Sequence, residues 1–224
     1  ANNDLWAVSG LNLYKVSNWE IVESYNHTNS ILPEASLRSI DNDGAGNIWI
    51  PTYEDGLFVK TAGGWENLSI PPYSQLISLV AKDESSGAYA TVYKQATSEI
   101  QLLEYDTEGY TVVARPSDLG IYNFSTIHYD AANGKLWLGS LQDELISLNA
   151  EGEYEMVAMP EEWDLDDRVR KLGTFEAGLW ILGQYQFAFQ HNDEWFVYNT
   201  QNSLLDTERL TDAALDQDGV FWML

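Results

Sequence analysis

Tryptophan recurs along this chain at a near-constant interval, and no other feature restricts the fold as much. Trp6, Trp49, Trp137, Trp180 and Trp222 sit in the short apolar segments DLWAV, NIWIPT, KLWLGS, GLWILG and VFWML, and Tyr89 in GAYATVY fills the one gap. The intervals are 43, 40, 48, 43 and 42 residues. A period of that size belongs to a four-stranded propeller blade or to a repeated pair of helices. Strand chemistry decides between them. Each unit carries short β-branched and aromatic runs separated by Gly, Asn and Asp turns, and no 3.6-residue apolar stripe is long enough for paired helices.

The order within a unit is consistent. An inner strand A comes first, such as Leu37–Asp41 or Phe124–His128, followed by an acidic turn and the Trp-bearing strand B. Strand C is typified by Gly56–Lys60 and Leu145–Leu148, and strand D opens near an aromatic: Trp19, Trp65, Tyr110, Tyr154 or Trp195. One match is especially specific. Tyr25-Asn26 followed by Asn29-Ser30-Ile31-Leu32 recurs as Tyr198-Asn199 followed by Asn202-Ser203-Leu204-Leu205, 173 residues later, the same offset as Trp49 to Trp222. The expected fold is an all-β propeller of four-stranded antiparallel blades. About five blades are present, as part of a longer six- to eight-bladed ring, a closed five-bladed ring being the alternative. Blade-like repeats are expected at approximately 1–32, 33–72, 73–120, 121–163 and 164–205, with a partial one at 206–224. Packing blades face to face buries the strand-B aromatics Trp6, Trp49, Tyr89, Trp137, Trp180 and Trp222, each contributing about 2–3 kcal/mol. Eight of the nine tryptophans fall at B or D positions and read as packing residues.

Charge removes several function classes. The 224 residues carry 35 acidic against 11 basic side chains, a formal charge of −24. Phosphate binding runs on Lys and Arg clusters, so nucleic acid and anionic membrane surfaces are not expected partners. No run approaches the ~18 apolar residues of a membrane helix, so no membrane insertion is expected. A signal peptide is absent or already removed. With no cysteine, disulfides, thiolate metal sites and a cysteine nucleophile are excluded. The 45% hydrophobic content excludes disorder.

Catalytic and metal constellations do not emerge. Asp41-Asn42-Asp43-Gly44 and Asp216-Gln217-Asp218-Gly219 could begin a calcium loop, but twelfth position from Asp41 is Thr52 rather than a bidentate Glu. Asp, Asn and Gly make tight turns without any ion. The D-x-G-x-x-W pattern also occurs in sialidase-like propellers, which need an arginine cluster. Arg38, Arg115, Arg168, Arg170 and Arg209 are scattered. His27, His128 and His191 fall at different faces and radii, and there is no G-x-S-x-G elbow. Catalytic residues, metal and cofactor are therefore all expected to be none.

The B–C and D–A connections share one face, where binding loops converge. From these loops the candidate ligand contacts are Tyr53, Glu54, Gln142, Asp143, Gln184 and Tyr185, with Tyr73, Tyr122 and Trp163 from the D–A side. Tyrosine rings stack on sugar faces while amides and carboxylates accept hydroxyl hydrogen bonds, so this composition suits neutral polyols. Trp163, in Pro160-Glu161-Glu162-Trp163-Asp164, is the only tryptophan outside the repeat register. It reads either as a loop plug packed on the blade beneath or as an aromatic platform.

The phrases Ser39-Ile40-Asp41-Asn42-Asp43-Gly44, Asn47-Ile48-Trp49-Ile50-Pro51-Thr52 and Asp55-Gly56-Leu57, with Ala214–Trp222, resemble the two-component regulator propeller repeat. The unit around Tyr89 lacks the Trp, and Phe175-Glu176-Ala177-Gly178 stands where an acidic turn belongs. The resemblance implies a periplasmic or extracellular, non-enzymatic sensing module of a two-component system that takes an oligosaccharide or protein ligand, as a homodimer if it is a sensor. Similar repeats in PorZ-like propellers imply, as an alternative, an interaction scaffold of a bacterial secretion system. A propeller lyase or hydrolase is the further alternative.

Overall fold

The structure is a computed structural model that describes residues 5–224 except 38, 53–54, 69, 73, 83–84, 142–143, 165, 176–177, 193, 206–208 and 217–218. It divides into two compact units, Ala1–Arg115 and Pro116–Leu224. In each, antiparallel sheets follow one another along the chain, with strands adjacent in sequence paired in space. These sheets are propeller blades.

Unit 1 holds three. The first has β1 (Leu5–Ser9), β2 (Asn12–Ser17) and β3 (Glu20–Tyr25). The second has β4 (Asp41–Asn42), β5 (Ile48–Pro51), β6 (Leu57–Thr61) and β7 (Gly64–Leu68). The third has β8 (Ser74–Ala81), β9 (Ala88–Lys94), β10 (Glu99–Tyr105) and β11 (Tyr110–Ala114). Unit 2 opens with a short 3-10 turn at Pro116–Leu119. Its first blade is β12 (Phe124–Asp130), β13 (Lys135–Ser140), β14 (Leu145–Leu148) and β15 (Tyr154–Val157). The next is β16 (Lys171–Phe175), β17 (Gly178–Leu182), β18 (Gln186–His191) and β19 (Glu194–Asn199), and then come the paired β20 (Ala213–Leu215) and β21 (Phe221–Met223).

The expected inner strand over Leu37–Asp41 is shorter than the sequence suggests, since among the described residues only Asp41–Asn42 pairs with β5. The amide of Leu37 is committed elsewhere, donating to the Gly10 carbonyl at 2.9 Å. Its side chain is buried with Leu13 and Leu32. The Tyr-Asn-x-x-Asn-Ser-x-Leu motif is one turn made twice. Asn26 N–H donates to Asn29 Oδ1 and Asn199 N–H to Asn202 Oδ1, each at 2.8 Å. Asn29 and Asn202 then cap carbonyls of the preceding strand, at Ser24 and Val197. The leucine that follows, Leu32 or Leu205, is delivered into an apolar cluster.

One carboxylate, Asp43, ties its own turn to the next blade of unit 1. Asp43 Oδ1 accepts the amides of Ala45 and Asn47, and Oδ2 accepts Asn47 Nδ2, the Trp49 indole N–H and the amide of Gly87 in the next blade, all within 2.9–3.0 Å. Gly46 turns the chain back at φ +81°, in the left-handed region. Trp49 is thereby seated at 0% exposure among Leu57, Val59, Leu76, Ala90 and Leu103. Asp216 repeats the local half of this device, accepting the Trp222 indole N–H at 2.8 Å. In the blade of Trp137 the turn is one residue longer. Asp130 accepts from Asn133 instead, and Trp137 Nε1 is buried without a partner among the described residues.

Two tryptophans depart from the packing expectation. Trp19 is 97% exposed, because it sits in the β2–β3 turn at φ +68° rather than on a strand. Trp222 is 64% exposed. In unit 2 the inner strands β12 and β16 lie side by side, and His128 Nε2 meets Thr174 Oγ1 at 3.0 Å. Burial pushes the His128 imidazole below its ordinary value, against the pull of Asp130. The folded protein therefore favours the neutral ring. Its contribution is complete above about pH 6.5 and is lost as the pH falls from there through the lower folded value. The denaturant midpoint of unit 2 is expected to drop on acidification from pH 8 to 5, with a shallower drop in His128→Gln. Equal slopes in the two proteins would contradict this.

Candidate functional site

The connection from β15 to β16 builds a site in unit 2. Two tight turns shape it, Trp163 N–H to Pro160 O at 3.0 Å and Asp167 N–H to Asp164 O at 2.9 Å. Between them the Trp163 ring turns inward to 3% exposure, packed with Leu145, Val169, Leu172 and Ile181, and its indole N–H donates to the Asp167 carbonyl at 2.9 Å. Trp163 is the plug of this loop. Its faces are occupied, so it is not an open platform for a sugar ring.

The plug fixes the carboxylate of Asp167, which is buried and accepts the amides of Gln184 and Tyr185 in the β17–β18 turn. The approach is close enough to need glycine, since a Cβ on Gly183 would stand 2.4 Å from Asp167 Oδ2. Next to it the buried Gln186 side chain pairs twice with the backbone of Asp164, donating to its carbonyl at 3.0 Å and accepting its amide at 3.2 Å. Above these fixed groups opens a cavity of about 280 Å³. Glu162, Asp164 and Asp167 supply carboxylates, Tyr185 and Gln186 a ring and an amide, and Asn199, Thr200 and Gln201 the far wall. Among the described residues, no cationic side chain lines it. Arg209 donates a 2.8 Å hydrogen bond to Gln184 Oε1 in the β17–β18 turn. The arrangement can accept several hydrogen bonds from hydroxyls at fixed positions, with a half-exposed phenol ring at the rim.

Of the sequence-derived candidates, Tyr185 lines this cavity, whereas Gln184 does not and accepts a hydrogen bond from Arg209. Tyr122 is exposed and does not line it. Tyr53, Glu54, Tyr73, Gln142 and Asp143 lie outside the described residues. Sequence reasoning had not placed Glu162, Asp164 and Asp167 together with Asn199–Gln201. The clustered acids of 161–167 and the repeated Tyr-Asn turn were the available signals, but their convergence depends on the plug. A larger cavity, about 440 Å³, lies in unit 1 at the β10–β11 turn, lined by Glu104, Asp106 and Glu108. Lys82 on its wall is paired with Glu104, and the cavity is not on the B–C and D–A loops.

No protein-family model matches the chain, and no curated protein matches it in sequence. Solved structures do. PorZ, an essential bacterial surface component of the type-IX secretion system of Porphyromonas gingivalis, matches at TM-score 0.75 and 15% identity over 99% of this chain and 36% of its own. The extracellular domain of a hybrid two-component system of B. thetaiotaomicron matches at TM-score 0.65 and 14% identity, over 98% of this chain and 30% of its own. A YCF48 structure with a bound peptide matches at TM-score 0.65 and 13% identity, over 100% of this chain and 71% of its own. The chain spans about a third of the length of the first two. Both kinds of protein that the repeats resemble are among these matches, and at such identities the likeness establishes the propeller fold.

Proposed function

We propose that the protein is a non-enzymatic recognition propeller of the bacterial cell envelope, acting as the ligand-sensing part of a two-component system. Its ligand is a neutral, hydroxyl-rich molecule of the glycan-fragment class, bound in the cavity over Asp167. One observation carries this reading: the cavity has a carboxylate and an amide, Asp167 and Gln186, held in place by backbone hydrogen bonds, a phenol at its rim, and no His, Lys or Arg among the described residues that line it. Such a wall accepts hydrogen bonds from hydroxyls and offers a ring to a sugar face. The likeness to an extracellular sensor domain supports the envelope setting. Calorimetry against a panel of neutral oligosaccharides tests it. A binder is expected, weakened about tenfold by Tyr185→Ala or Glu162→Gln, each removing one contact worth about 1–2 kcal/mol. No binding across the panel, or unchanged affinity in both variants, overturns the reading.

A protein-docking scaffold is the second reading, favoured by the PorZ match over 99% of the chain. It is supported if a purified envelope protein binds, Tyr185→Ala weakens that binding, and the oligosaccharides give no heat.

A further inference from the structure

The cavity over Asp167 does not end at Glu162. The exposed Glu162 side chain, which has no hydrogen-bond partner among the described residues, also borders a second cavity of about 310 Å³. The two are contiguous along the chain as well. Asn199, Thr200 and Gln201 line the first, and the residues that flank them, Tyr198 and Asn202, line the second. Either cavity alone is near the lower limit of about 300 Å³ for a small-molecule site, and the two together exceed it. They differ in kind. Carboxylates and amides dominate the first, whereas Trp195 and Val197 of the outer strand β19 line the second.

Trp195 is half-buried. It packs on the cluster of Leu145, Trp163 and Ile181, and the rest of its surface lines the cavity. Among the described residues no ring stacks on it, whereas Phe196 and Tyr198, on the opposite face of β19, are both stacked on Phe189, at 5.4 and 6.0 Å. Asn202 is fixed in place. Its Oδ1 accepts Asn199 N–H at 2.8 Å and its Nδ2 donates to the Val197 carbonyl at 2.9 Å, which leaves a second N–H on the amide. The repeated Tyr-Asn turn does not itself require the apolar pair. In its copy, 173 residues earlier, Val22 and Ser24 stand in the places of Trp195 and Val197. A hydroxyl-bonding cavity joined to one with an indole and a fixed amide matches a chain of pyranose rings, because each ring carries hydroxyls at its rim and apolar C–H bonds across its faces. We propose that the cavity over Asp167 is the first of two subsites, and that the ligand is a neutral oligosaccharide of at least two residues. One ring bonds the carboxylates through its hydroxyls. The next lies with a C–H face on Trp195, and the linkage between them passes Glu162. This extension rests on the glycan reading of the first cavity.

Calorimetry of the whole chain with saccharides of one to four residues, derived from cellulose, starch, xylan and mannan, tests it. In any series that binds, affinity should rise at least about tenfold between one residue and two or three and level off at four, since once the first ring is held the second binds intramolecularly. Trp195→Leu keeps an apolar side chain in the cluster and should cut that gain to under about threefold. Equal affinity for one residue and for three, with Tyr185→Ala still weakening both, overturns the two-subsite inference and leaves the glycan reading standing. A gain that Trp195→Leu does not reduce overturns it too. No binding by any of the four series overturns both.

Discussion

Replacing Asp43 by alanine is expected to lower stability by about 3–5 kcal/mol, whereas Asp216→Ala costs less than about 1 kcal/mol. The two carboxylates make the same hydrogen bond to an indole six residues on, at 2.9 and 2.8 Å. They differ in what surrounds it. Asp43 is buried and also takes the amides of Ala45, Asn47 and Gly87. Its loss strands the Trp49 N–H and the Gly87 amide away from water, at about 1–3 kcal/mol each. Trp222 is solvated, so water replaces Asp216 at its indole. Burial works against the ionised form of Asp43, but the hydrogen bonds from Gly87, Asn47 and Trp49 outweigh it and hold the carboxyl below its usual value. The stabilisation is therefore present above pH 4 and lost as the pH falls through the lower folded value. Urea midpoints of the two variants between pH 7 and 3 check both statements. Equal costs at pH 7 would mean that the contact between blades contributes little.

Trp163→Ala is expected to cost about 3–5 kcal/mol, and Trp19→Gly to be neutral or slightly stabilising. The first empties a buried indole site and frees the Asp167 carbonyl of its partner. The second removes a ring that touches almost nothing and relieves a left-handed backbone that suits glycine. Trp163→Ala should also abolish ligand binding, because the plug sets the Asp167 carboxylate against the Gln184 and Tyr185 amides. Chemical denaturation read by circular dichroism separates the two variants. A neutral Trp163→Ala would show that the loop is not held by its plug.

This pair also shows where the sequence is silent. The tryptophan period reports which strands recur, and it led correctly to antiparallel blades, but it does not report what packs on each indole. Trp163, outside the register, is buried by its loop, and Trp19, inside it, is lifted out by one turn conformation. Lettering misleads similarly at the acidic turns. D-x-D-G puts Asp41 level with Asp216, whereas the indole bond, counted six residues back from Trp49 and Trp222, puts Asp43 there. Asp41 instead reaches the Ala81 amide of the next blade at 2.8 Å. The repeated Tyr-Asn turn was legible because all its hydrogen bonds are local. The cavity was not. Glu162, Asp164 and Asp167 meet Tyr185 and Asn199 only after the chain between them has formed a blade, and no short-range pattern encodes that distance.

The most direct test of the central claim is a hydrogen-exchange footprint of the strongest oligosaccharide binder on the whole chain. The account predicts slowed exchange confined to residues 160–169, 183–186 and 199–202. Protection centred instead on the β2–β3 turn around Trp19, or on the β10–β11 turn, would contradict it.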